Sequence, residues 1–396
     1  MFLTPFEKKD IRSISEAELS QLVDENKVIY NEYYDHNYLK SIMDNVCVFF
    51  DKYYFRVKFF GFDNIPERNN PEHPLIYASN HSGMAFPWDA MVFGAGMLKL
   101  TDCDMTKCPR GLAAPMLSQT KLMNPYLIEN FWKIVGGVDA TSLNFETMMH
   151  QKDSNILIYP EGVPGIGKGF DKKYQLQRFS TSFIRMAIKY KTDIIPVSTV
   201  NGEYINPYSY NSPSISKLVN KIGIPFLPLG LTLLLLPLQP WTFYMAFPAN
   251  LTYVMGQPIK AYEMSNKSFE EMTRDDFLEI AEKVKLIMQE NLYKDVEQHG
   301  KKPYQIRDLI TITLKNILKV PFTFPWGWPL LMLEHHRLYQ KTKAPVKMNI
   351  GFLSFFKMLL NNPRAIWFYI PIFGWIPIIY RMLKSNKTDT LSQSKT

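Results

Sequence analysis

Two short stretches bring together the residues that can do chemistry. Tyr77 to Ala90, reading YASNHSGMAFPWDA, ends an apolar run at His81 and supplies Asp89 after a turn. Ile156 to Phe170, reading ILIYPEGVPGIGKGF, ends a second apolar run at Glu161 and Gly162. A histidine paired with a carboxylate suits general-base work, because the carboxylate fixes one tautomer and stabilises the imidazolium formed when a proton is taken. There is no Gly-x-Ser-x-Gly elbow, and no cysteine adjoins a second histidine. No covalent nucleophile is evident, so the chemistry expected is activation of a substrate hydroxyl.

The elements that must hold these groups are legible around them. LIYASN and ILIYP read as short buried strands that run into polar, Gly/Pro-rich turns, and strand ends of open α/β sheets are where such sites are built. Trp88 to Leu100 is expected to be a helix with Asp89 in its first turn, where a carboxylate also suits the helix dipole. That placement leaves Asp89 open to a second reading as a helix-start acid, and His81 to one as a hydrogen-bonded structural histidine. Thr141 to Gln151 reads as helix leading into NILIYP, Phe179 to Lys191 as another, and DIIPVSTVNG as a further buried strand ending near Asn201 and Glu203. This alternation predicts an α/β fold with a mixed, largely parallel central sheet flanked by helices. Strands are also expected at 242–247 and 251–256, a helix from Thr273 to Asn291, and a weakly periodic connection over 101–140.

Asn80, His81 and Asp89, then Tyr159-Pro160-Glu161-Gly162, then Ile195-Pro196-Val197, resemble the ordered blocks of the PlsC-like glycerolipid acyltransferases. The likeness is best to a branch whose blocks read NHSG…D, PEG…GIGK and YxLQRF, here Asn80 to Asp89, Pro160 to Lys168 and Tyr174 to Phe179. It covers roughly residues 55 to 260. The resemblance implies that His81, oriented by Asp89, is the catalytic base, and that the Pro160-Glu161-Gly162 turn binds the acceptor, with Gly162 allowing close backbone approach. Asn80, Ser82 and Gly83 are candidate substrate-binding residues, and the Gly-containing turn suggests amides near Ser82 and Gly83 for a developing oxyanion. Two features depart from the family pattern. Seven residues separate His81 from Asp89 where the family has four, so Gly83 and Pro87 must fold the extra chain. The arginines expected in the second block and after Pro-Glu-Gly are absent. Lys168 and Arg178 are the candidate replacements as anion binders, against a reading of each as an exposed loop charge.

The chain of 396 residues is 46% hydrophobic and 14% aromatic, ample for a folded core, and its formal charge is +8. A basic, aromatic-rich chain suits anionic lipid headgroups; no nucleic-acid-binding motif or Lys/Arg-dense block is present, so nucleic acid is not an expected partner. Cys47, Cys103 and Cys108 offer no zinc spacing, and neither a metal nor a cofactor is expected. The start MFLTPFEKKD turns charged too early for a secretory signal. Residues 13 to 60 read as mainly helical, and their aromatic run VCVFFDKYYFRVKFF suits either the membrane interface or a helix on the sheet. Residues 223–248 are apolar but broken by Pro225, Pro228, Pro237 and Pro240, which fits a segment dipping into one leaflet or a core segment. Residues 321–333 and 365–383 are aromatic, proline-broken and flanked by Lys and Arg, as at a membrane interface. His335 and His336 lack a ligand pattern and are expected to be non-catalytic, and the last dozen residues to be disordered.

The expectation is therefore three regions: an N-terminal helical, membrane-proximal segment at 1–60, an acyltransferase domain at 61–295, and a membrane-interfacial extension at 296–396. The resemblance implies a membrane-associated enzyme on the cytoplasmic face. It would move an acyl group from acyl-CoA or an acyl-carrier protein to the hydroxyl of a lipid acceptor such as a lysophospholipid. Two alternatives stand beside it: a neutral acceptor such as diacylglycerol or a long-chain alcohol, and an inactive lipid-binding protein of the same fold.

Overall fold

The computed structural model describes residues 14–81, 83, 86–119, 123–220 and 229–380. Ser82, the first thirteen residues and the C-terminal tail lie outside them.

Seven strands, β1 (Lys58–Phe60), β2 (Ile76–Ser79), β3 (Pro109–Ala113), β4 (Val138–Asp139), β5 (Asn155–Ile158), β6 (Ile194–Val200) and β7 (Thr252–Met255), form one sheet. Their order is β1-β7-β6-β2-β5-β3-β4. Every neighbouring pair is parallel except β6 with β7. The three central strands are buried throughout, which explains why they read as continuous apolar runs rather than alternating ones. Because β2 lies between β5 and β6, the chain leaving each of the three emerges at one edge of the sheet, carrying His81, Glu161 and Glu203.

Several elements differ from expectation, including β1 at the end of the region expected to be mainly helical. The stretch 101–140 contains two strands of the sheet; β3 reads PRGLA and is only partly buried, so it lacks the β-branched alternation that marks a strand and is held by its pairing with β5. Residues Pro240–Tyr244 form a 3-10 turn instead of a strand, as Pro240 at its start favours. The last helix of the sheet's cover runs Arg274–His299, eight residues past its expected end.

One face of the sheet is covered by the Ser182–Lys189 and Arg274–His299 helices, sharing a core of Phe183, Ile184, Phe277 and Val284. The other face carries the Trp88–Leu100 helix, the aromatic run near residue 50 and much of the chain beyond 320 in a single core. Of the two readings of VCVFFDKYYFRVKFF, the structure takes the buried one: Phe49, Phe50, Tyr53, Tyr54 and Phe55 are all buried. Within residues 321–333, expected at an interface, Phe322, Trp328, Leu330 and Leu331 are instead fully buried, while Trp326 stays exposed. Trp328 sits 4.8 Å from Trp88 and 4.6 Å from Phe50 between ring centroids. Edge-on aromatic pairs of this kind contribute about 0.5–1.5 kcal/mol each beyond burial. The C-terminal chain therefore buttresses the residue next to Asp89. Among the described residues no helix is long and apolar enough to cross a membrane.

Candidate active site

β2 ends at Ser79, and the chain is secured there before it turns. The Asn80 side chain donates to Thr199 O at 3.0 Å and accepts from Thr199 N at 2.7 Å, so it continues the β2–β6 ladder with an amide in place of a backbone unit. Asn80 is thus buried as a strand-end clasp and does not face the cavity described below. Gly83 then adopts φ +76°, and a Cβ there would meet Lys168 O at 3.2 Å; this is a left-handed turn against a neighbouring loop that glycine alone fits without strain. Pro87 precedes the Trp88–Leu100 helix, whose first turn brings Asp89 back to the strand end.

His81 Nδ1 lies 3.3 Å from Asp89 Oδ2. Asp89 is fully buried, while the His81 side chain keeps 13% exposure. The Asp89 backbone is fixed in turn: the Tyr253 hydroxyl donates to its carbonyl at 2.7 Å. A carboxylate at Nδ1 makes that nitrogen the N–H, leaving Nε2 as the basic atom. The ring is stacked on Tyr159 with centroids 4.0 Å apart and planes 13° from parallel. Burial pushes the Tyr159 phenol well above its ordinary pKa, and the Asp89 charge adds to the effect; it stays protonated at any working pH.

Glu161 occupies the other pole, but its oxygens point into the protein. Oε1 accepts from the His81 N–H at 3.1 Å and Oε2 from the Gln177 N–H at 2.6 Å. Lys168 Nζ sits 3.9 Å from Glu161 Oε2 and 3.3 Å from Glu203 Oε1, and it donates to Gln175 O at 3.3 Å. All three charged side chains are buried. Burial raises the Glu203 pKa against the opposing pull of Lys168. Lys168 is therefore neither an exposed charge nor available to a substrate anion. Arg178 is exposed and does not line the cavity. Pro160 is buried and its carbonyl accepts from Ser180 N at 2.9 Å. Of the candidate site residues that are described, His81 and Gly162 reach the cavity wall; Gly162 has φ +58° with open space where a Cβ would stand.

The cavity itself holds about 620 Å³, within the range that encloses a small organic ligand. From His81 it follows one face of the Trp88–Leu100 helix past Ala90, Met91, Gly94 and Leu98 toward Ile42 and Cys47, a run of about 12 Å along the helix axis. Its walls are overwhelmingly apolar. Arg110 is the cation among its described lining residues, and its guanidinium donates to Gly136 O at 2.9 Å and Tyr30 O at 2.8 Å beneath the Tyr34 ring. Burial lowers its pKa to about 10. The sequence reading missed Tyr159 and this wall; the small residues Ala90, Gly94 and Ala95 clustered on one helix face were the available signal.

Residues 56–200 match the family model described as Acyltransferase. The chain is 24% identical over 262 residues to an uncharacterized protein of Mycobacterium tuberculosis, covering 66% of this chain and 67% of that one. It is 29% identical over 138 residues to the chloroplastic phytyl ester synthase 2 of Arabidopsis thaliana, covering 34% of this chain and 18% of the plant protein. Among solved structures it is similar to the 1-acyl-sn-glycerophosphate acyltransferase PlsC of Thermotoga maritima, at 13% identity and a TM-score of 0.35, over 71% of this chain and 85% of that one. Residues 56–200, which carry the His81/Asp89 pair at the strand end, are thus similar to the acyltransferase family.

Proposed function

We propose that the protein transfers a fatty acyl group from acyl-CoA or acyl-carrier protein to the hydroxyl of a neutral lipid acceptor, such as diacylglycerol or a long-chain alcohol. His81 Nε2 takes the hydroxyl proton as the oxygen attacks the thioester carbonyl. The tetrahedral intermediate then collapses, the ester forms, and the departing thiolate takes its proton back from the His81 imidazolium. Asp89 holds the ring and stabilises that imidazolium. Backbone N–H groups of the turn through Gly83 would face the oxyanion.

The observation that carries the neutral acceptor is the state of three described cations, Lys168, Arg110 and Arg178. A phosphate monoester needs charge-assisted partners free to meet it. Lys168 is spent on two buried carboxylates, Arg110 on two carbonyls, and Arg178 stands outside the cavity. The likeness to a plant phytyl ester synthase agrees with this reading, since its name describes an alcohol acceptor.

The test is the purified full chain with a labelled acyl-CoA and lysophosphatidate, lysophosphatidylcholine, diacylglycerol, a long-chain alcohol or water as acceptor. Label should pass to diacylglycerol or the alcohol in preference to lysophosphatidate. Preference for lysophosphatidate would overturn the acceptor assignment, and release of free fatty acid alone would indicate a hydrolase.

A further inference from the structure

We infer that the apolar roof of the cavity, residues 229–245 together with 363–380, is seated in a lipid bilayer, so that the acceptor reaches His81 from the leaflet. The access route rests on the acyl-transfer reading; the docking does not.

The Leu231–Leu235 helix shows the problem the bilayer solves. Leu233 and Leu236 line the cavity, yet Leu231, Leu234 and Leu238 on the outside are 55%, 73% and 52% exposed. A helix on a water-facing surface turns polar residues outward, and this one has none to turn. No Asp, Glu, Lys or Arg occurs from Ile222 to Ile259, nor from Ala365 to Tyr380. The second segment repeats the pattern: Trp375 and Ile378 line the cavity while Ile372, Ile376 and Ile379 are exposed. The two segments are fastened together, with Trp375 Nε1 donating to Pro237 O at 2.8 Å and Gln239 Nε2 to Ile370 O at 3.1 Å.

The surface continues beyond the roof. Tyr369 donates to Trp326 O at 2.8 Å and its ring meets Phe355 at 5.9 Å, which joins the roof to the Phe352–Asn361 helix. There Phe352, Phe356 and Leu360 form an exposed apolar stripe at helical spacing. Apolar patches this extended are uncommon on proteins that meet water alone.

Charge selects a membrane over a protein partner. Residues 306–380 contain nine Lys or Arg and two acids. Of those acids, Glu334 is buried and paired with Arg337 at 2.6 Å, while Lys315, Lys357 and Arg364 are exposed. An apolar face with a basic rim and an exposed Trp326 matches an anionic leaflet, with the tryptophan at headgroup level. Since no described helix can cross a membrane, the surface lies on one leaflet.

Flotation of the full chain with phosphatidylcholine vesicles, with and without phosphatidylglycerol, tests the docking without any turnover. The wild type should float with vesicles, more so with the anionic lipid. The double variant Leu234→Glu/Ile372→Glu alters exposed side chains that do not line the cavity, and its partitioning should fall by more than about tenfold. Its turnover of a short-chain acyl-CoA with a water-soluble alcohol should match the wild type, which also shows that it has folded. A wild type that stays in solution, or a double variant that floats equally well, overturns the proposal. So does a double variant that changes only from dimer to monomer in light scattering, which would assign the face to a second copy. Flotation without acyl transfer by the wild type would remove the catalytic reading and leave the docking standing.

Discussion

The backbone N–H of His81 donates to the carboxylate of Glu161 at 3.1 Å, so the ends of β2 and β5 are one hydrogen-bonded unit. Glu161 consequently holds His81 through its main chain, with both carboxylate oxygens turned to backbone N–H groups. With both oxygens occupied and Lys168 behind it, Glu161→Ala leaves two N–H groups without a partner and removes one of the two carboxylates beside Lys168. A stability loss of about 2–5 kcal/mol is expected from two donors left unpaired, at about 1–3 kcal/mol each, read from denaturant unfolding. In whatever fraction folds, kcat should fall while the acceptor KM changes little. A raised KM with kcat preserved would return Glu161 to acceptor binding.

Gly94 faces the cavity, and a Cβ there meets nothing within 4 Å. Gly94→Leu should therefore be accepted by the helix, and the added side chain should fill space a long acyl chain needs. Relief of glycine's backbone entropy would stabilise the fold by up to about 1 kcal/mol. The expected outcome is a shift of preference toward shorter acyl-CoA chains, measured by competition between chain lengths. An unchanged profile would remove the acyl chain from this channel.

His335 gives a prediction that does not involve catalysis. It is fully buried, with Nε2 2.9 Å from Ser41 Oγ, and burial lowers its pKa from 6.5 to about 4, with His336 acting in the same direction. Folding thus favours the neutral ring. The stability it contributes is complete above pH 6.5 and is lost as pH falls from there through about 4, amounting to about 3 kcal/mol. Unfolding of the wild type and His335→Gln across that range should show a shallower acid slope in the variant; parallel slopes would contradict the assignment.

Much of this arrangement was legible in the sequence because the central strands are buried on both faces and short, so that their apolar runs end abruptly at the residues of interest. His81 and Asp89 could be paired from a strand end and a helix start, with Gly83 and Pro87 marking the turn between them. The roles of Glu161 and Lys168 could not. A carboxylate at a strand end looks the same in sequence whether it faces a substrate or a neighbouring strand, and only the tertiary fold reveals that Gln177 and His81 converge on Glu161 from different segments. β1, β3 and β4 escaped for a related reason: they have two to five residues each, and their neighbours, not their own side-chain pattern, make them strands.

The central claim is that Nε2 of His81 is the base. His81→Ala removes the imidazole while the strand-end contacts made by its backbone and by Asn80 remain. Steady-state transfer of a labelled acyl group from acyl-CoA, in protein shown by thermal melting to be folded, should fall by about 10²–10⁴-fold in kcat, the usual contribution of a positioned general base. Transfer at the wild-type rate by folded His81→Ala would contradict the account.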